Sequence, residues 1–128
     1  MRVAIQRLEE ARFLNDRSVY YTAVIYLAGY AVECALKALN LSSVPATECQ
    51  EVSESFRGSL GHSFDSLKAN YARRGGASFP PSIAKSLTFV SSLWSTSMRY
   101  EPGARSPREA DKFLVATEEI VEWAKARL

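Results

Sequence analysis

The run from Val19 to Val32, continuing to about Leu41, constrains this chain most. It is apolar nearly all round a helical wheel, broken by Thr22 and Gly29 and closed by Glu33. A helix without a polar face belongs in the middle of a bundle or in a membrane. The run falls short of the roughly 20 apolar residues that a membrane span needs. It is therefore expected to be the core helix of a bundle, with no membrane partner, and the rest of the chain should supply the helices that cover it.

Those helices are legible in the spacing. Ala4, Leu8, Ala11 and Leu14 fall on one face of a segment from about Val3 to Asn15, and Asn15-Asp16-Arg17-Ser18 separates it from the core helix. Ser42-Ser43-Val44-Pro45 ends that helix, and Cys49, Val52 and Phe56 give a weak, short pattern that stops at Gly58. From Ser63 to Arg74 the positions Phe64, Leu67 and Tyr71 recur with helical period, and Arg73-Arg74-Gly75-Gly76 has the basic-then-glycine ending of a helix. Pro80-Pro81-Ser82 opens the next helix, with Ile83, Leu87, Val90 and Trp94 along one side until Glu101-Pro102-Gly103. The last start signal is a capping box, Ser106 with Pro107 at the first helical position and Glu109 three residues after the cap. Ala110, Phe113, Leu114, Thr117, Ile120, Val121 and Ala124 continue from it as one inner stripe. No segment alternates like a strand. The expected fold is all-α, an up-and-down antiparallel bundle of four to five helices.

With 128 residues the chain suits one domain, 1–128, and 47% hydrophobic with 23% charged residues excludes the disordered class. A net charge of +2 means that any nucleic-acid contact must come from a local patch, for which Arg73, Arg74, Arg105 and Arg108 are available. Cys34 and Cys49 lie in separate segments with no His or Cys at ligand spacing, so no metal and no cofactor is expected, and free thiols suit a reducing cytoplasm. The N-terminus lacks the apolar region of an export signal.

Three pieces carry a family resemblance: Tyr26-Leu27-Ala28-Gly29-Tyr30-Ala31-Val32-Glu33-Cys34-Ala35-Leu36-Lys37-Ala38, then Gly61-His62-Ser63-Phe64, then Trp94 followed by Arg99-Tyr100. Together they resemble the HEPN family of helical domains, and the first looks like its second-helix signature almost residue for residue. The resemblance implies a homodimer, and in prokaryotes a partnership with a minimal nucleotidyltransferase in toxin–antitoxin-type systems. It also implies that members which cleave RNA carry Arg followed four to six residues later by His. Arg57-Gly-Ser-Leu-Gly-His62 has that spacing, but Gly58 stands where such members have a polar residue and Gly61 precedes the His.

If Arg57 and His62 worked together, His62 would move a proton while the Arg57 fork held phosphate oxygens during metal-free cleavage by the RNA 2′-hydroxyl. The structural alternative for His62 is a residue that caps a turn or bonds a backbone carbonyl. Glu33 and Lys37, one turn apart in the favourable order, are expected on the wetter side of the core helix. Glu33 is either an ion-pair member or a polar feature of a groove. Arg99 with Tyr100, before a helix break, is a candidate binding pair for a phosphate or carboxylate, the alternative being an Arg99–Glu33 pair or a helix C-terminus. Tyr20, Tyr21, Tyr26 and Tyr30 are read as core or dimer packing, with base stacking as the alternative. Two functions follow: a dimerising interaction and nucleotide-binding module paired with a nucleotidyltransferase, and a metal-independent endoribonuclease toxin using Arg57 and His62.

Overall fold

The computed structural model of the protein describes residues 1–103 and 105–128. Six α-helices and no strand occur among the described residues: α1 Arg2–Asp16, α2 Tyr21–Ser42, α3 Cys49–Glu54, α4 Phe64–Arg73, α5 Pro81–Leu93 and α6 Pro107–Lys125. Short 3-10 turns at Ala46–Glu48, Ser59–His62 and Thr96–Tyr100 join them. The helix beyond the expected four to five is α3, a turn and a half long, in the segment where the apolar pattern is weakest.

The central helix is α2, against which α1, α4 and α6 all pack. It is long and apolar enough to cross a bilayer by length and composition, so its length does not exclude a span as expected. Its placement answers the question instead. More than half of its most apolar window is buried inside the fold, with Val24, Ile25, Val32 and Leu36 fully enclosed by the other helices. Each such side chain removed from water contributes about 1.5–3 kcal/mol, which is why the neighbours hold their stripes against it.

Cross-helix contacts give the directions. Arg12 Nε reaches Glu118 Oε1 at 2.6 Å and Asn15 Nδ2 reaches Asp111 Oδ1 at 2.7 Å, so α1 and α6 run antiparallel. Ser86 Oγ reaches Glu119 at 2.6 Å while the rings of Phe89 and Phe113 lie 6.3 Å apart, so α5 and α6 are antiparallel as well. Every residue of the stripe expected on α6 is buried. Its start is the capping box: Ser106 Oγ accepts from the Glu109 amide at 3.2 Å, and the Glu109 carboxylate accepts from the Ser106 amide at 2.9 Å. At the end of α4, Gly75 takes φ +77° and the Gly76 amide returns to Tyr71 O at 3.0 Å, the glycine stop that Arg73-Arg74-Gly75-Gly76 announced.

The helix opened by Pro80-Pro81 does not run to Glu101. It ends at Leu93, and Trp94 adopts an extended backbone that swings its ring back under α2. The indole N–H donates to Tyr26 O at 3.0 Å, and the ring stacks on Phe64 at 4.9 Å with 4° between planes. Apolar spacing could not separate this from one more helical turn, since Trp94 is buried either way.

Candidate functional site

Three of the residues singled out in the sequence converge. Lys37 Nζ lies 2.7 Å from Glu33 Oε1, and His62 Nδ1 lies 3.0 Å from Oε2 and 3.2 Å from Oε1 of the same carboxylate. Glu33 is 2% exposed. The expectation that Glu33 marks the wetter side of α2 is therefore corrected: the carboxylate is buried, and of the pair only Lys37, reaching back one turn, is partly open to solvent. An isolated carboxylate at that depth would cost several kcal/mol. Two donors on one anion are what make the position tolerable.

Local backbone delivers His62 to this place. Gly58 takes φ +77°, which lets the chain reverse after α3. Gly61 then passes so close under Phe56 that a Cβ on it would stand 1.7 Å from the Phe56 carbonyl oxygen. Ser63 follows as the side-chain cap of α4, accepting from the Ser66 amide at 3.3 Å. The two glycines that depart from the RNA-cleaving pattern thus build the tight turn on which His62 sits. His62 neither caps a helix nor bonds a carbonyl; its Nδ1 is taken by Glu33. Its other ring nitrogen has no protein partner among the described residues, and the side chain is 41% exposed. It borders a recess of about 280 Å³ with Ser59, Ser63, Asp65, Ser95 and Thr96.

Arg57 is not part of this cluster. It lies in the bend before Gly58, exposed, and no hydrogen bond, ion pair or shared recess connects it to His62 among the described residues. Arg99 and Tyr100 form a separate pair, the guanidinium 4.8 Å from the Tyr100 ring centre, and Arg99 does not pair with Glu33. Tyr30 stands between the two places. Its hydroxyl shares a hydrogen bond with Tyr26 at 3.4 Å, and its ring meets Trp94 edge-on at 5.4 Å. That hydrogen bond first, then burial and the nearby Glu33 charge, raise the Tyr30 pKa to about 12. Burial also pushes the Cys34 thiol up. Cys34 and Cys49 are free and half-buried.

The HEPN domain family model matches residues 1–127. The chain belongs to the HEPN family. Comparison with curated proteins and with solved structures gave no match. Membership makes this HEPN protein a nucleotide- or RNA-related module of that superfamily, and its all-helical architecture agrees with it. In this member the sequence showed each of Glu33, Lys37 and His62, but nothing joined Glu33 to a residue 29 positions away. Gly29 carries a signal that was open to reading. A Cβ there would lie 2.0 Å from Trp94 Cδ1, so a glycine inside the best helix of the chain marks the close approach of another element.

Proposed function

We propose that this HEPN protein works in the cytoplasm as a dimerising, nucleotide-binding partner of a minimal nucleotidyltransferase in a toxin–antitoxin-type system. The observation that carries this reading is the separation of Arg57 from His62. Phosphoryl-transfer chemistry on RNA needs a cation held over the phosphate as charge builds, beside the group that moves the proton. Here no hydrogen bond or ion pair joins the exposed Arg57 to the anchored His62 among the described residues, while Lys37 is already engaged by Glu33. What the cluster offers is a fixed imidazole edge at a hydroxyl-lined recess, and no Lys or Arg lines that recess among the described residues.

The nuclease reading keeps one specific support. A buried carboxylate on Nδ1 fixes a histidine so that its outer nitrogen can take or give a proton, and a second copy of the chain could supply the missing cation. Induced expression tests the two together. The partner reading expects the protein to co-purify with a nucleotidyltransferase encoded beside it, with His62→Ala leaving any growth effect unchanged. Growth arrest relieved by both His62→Ala and Arg57→Ala would replace it with the nuclease reading.

A further inference from the structure

Three turns before Glu33, about 16 Å back along α2, a groove of about 550 Å³ opens between the start of that helix and the turn Thr96–Tyr100. We infer that it holds a nucleoside phosphate, its base against the tyrosines at the start of α2 and its phosphate between Arg99 and the first amides of that helix. This rests on the nucleotide-binding reading above and gives it a place apart from His62.

The aromatic wall comes from Tyr20, Tyr21 and Tyr26. Tyr20 is 75% exposed and held at φ 55°, ψ 48°, a left-handed conformation that a bulky side chain seldom takes. Its ring is thus held largely in solvent beside the groove. Such faces stack on bases of any kind.

The polar contacts are of the matching chemistry. Thr22 lines the groove, and its Oγ1 is buried without a hydrogen-bond partner among the described residues. A buried hydroxyl left unpaired is costly, and a ligand heteroatom would satisfy it. The amides of Tyr21, Thr22 and Ala23 precede the first bond of the helix, Val24 N to Tyr20 O at 3.0 Å, and Tyr20 supplies no side-chain cap. Those three residues all border the groove, so a long helix presents uncapped, partly positive amides there. Of the two arginines beside them, Arg105 is engaged by Glu101 at 3.4 Å and Glu109 at 3.6 Å. Arg99 has no carboxylate partner among the described residues, and its guanidinium lies over Tyr100. A free fork, bare amides, an orphan hydroxyl and aromatic faces together suit an anion attached to a flat ring. The volume lies within the roughly 300–1,000 Å³ of small-molecule sites.

The phosphate could belong to a free nucleotide or to the end of an RNA strand. Calorimetric titration of the full chain tests both, using AMP, UMP, a 5′-phosphorylated tetranucleotide, adenosine and inorganic phosphate. The groove requires one of the nucleotide probes to bind at least about tenfold tighter than adenosine or phosphate alone. Tighter AMP or UMP assigns a free nucleotide, and a tighter tetranucleotide assigns a strand end. Arg99→Ala should weaken the interaction about tenfold or more. Thr22→Val should weaken it about threefold to tenfold while raising Tm, because it removes the orphan hydroxyl. A structural hydroxyl would change Tm alone. Tyr20→Gly removes both the ring and the left-handed strain, so it should lose affinity with no loss of Tm. Binding lost in His62→Ala but kept in Arg99→Ala would overturn the groove and leave nucleotide binding standing. Phosphate binding as tightly as AMP would reduce the groove to an anion site and overturn the proposal. No binding of any probe by folded wild-type protein would overturn both.

Discussion

His62 Nδ1 stands 3.0 Å from Oε2 of Glu33, a carboxylate that is 2% exposed. An anion can only accept, so in the neutral ring the proton belongs on Nδ1 and the lone pair on the outer nitrogen. Long-range nitrogen–proton NMR should show that single tautomer in the wild type and a mixture of both in Glu33→Leu. A wild-type ring protonated mainly on the outer nitrogen would contradict the contact.

The same contact predicts unequal stabilities. His62→Ala leaves Glu33 buried with Lys37 alone and should cost about 1–2 kcal/mol in urea unfolding. Glu33→Leu removes the buried charge itself, and apolar replacement of a buried ion pair is often neutral or stabilising, so its change should stay within about 1 kcal/mol or favour folding. Equal large losses in both variants would show that the carboxylate, and not its desolvation, dominates.

Gly29→Ala separates packing from helix propensity. Propensity alone would favour alanine by about 1 kcal/mol inside a helix. The new Cβ, however, would meet Trp94 at 2.0 Å, and that ring is held by Tyr26 O and by its stack on Phe64. The expected result is a loss of about 1–3 kcal/mol with a shifted Trp fluorescence maximum. A gain in stability would mean that Trp94 does not pack there.

Tyr30 gives an alkaline signature. Its pKa rises from 10.0 to about 12, chiefly through the hydrogen bond with Tyr26. A folded-state value above the unfolded one favours the native state below pH 10, and that contribution is lost as pH rises through about 12. Ultraviolet difference titration should show the late ionisation of Tyr30, and Tyr26→Phe should move it back toward 10. An unchanged titration in Tyr26→Phe would assign the shift to burial instead.

Most of the fold could be read because each stripe reports one buried face. The α6 stripe and the Ser106–Glu109 box were complete in the sequence, since capping and periodicity are local properties. What could not be read depends on contacts across the fold. The extended backbone at Trp94 keeps the residue as buried as a helical turn would, so periodicity carries no sign of it. Glu33 next to Lys37 looked like a surface pair because i,i+4 order is the same whether the pair faces water or the core. The Gly58 and Gly61 departures from the Arg–His pattern were visible, and their consequence, a turn that presents His62 without Arg57, needed the path of the chain. Arg99 and Tyr100 were placed at a break, but the orphan Thr22 hydroxyl beside them shows itself only once burial is known.

The most direct measurement is one incubation of labelled single-stranded RNA with the purified protein in EDTA, divided between a native and a denaturing gel. A nucleotide-binding module that does not cut predicts RNA intact on the denaturing gel, the same for Arg57→Ala as for wild type, and the native gel then shows whether a strand or only a free nucleotide is held. Shortened RNA with wild-type protein and intact RNA with both His62→Ala and Arg57→Ala would contradict it, and would mean that the two side chains meet during catalysis after all.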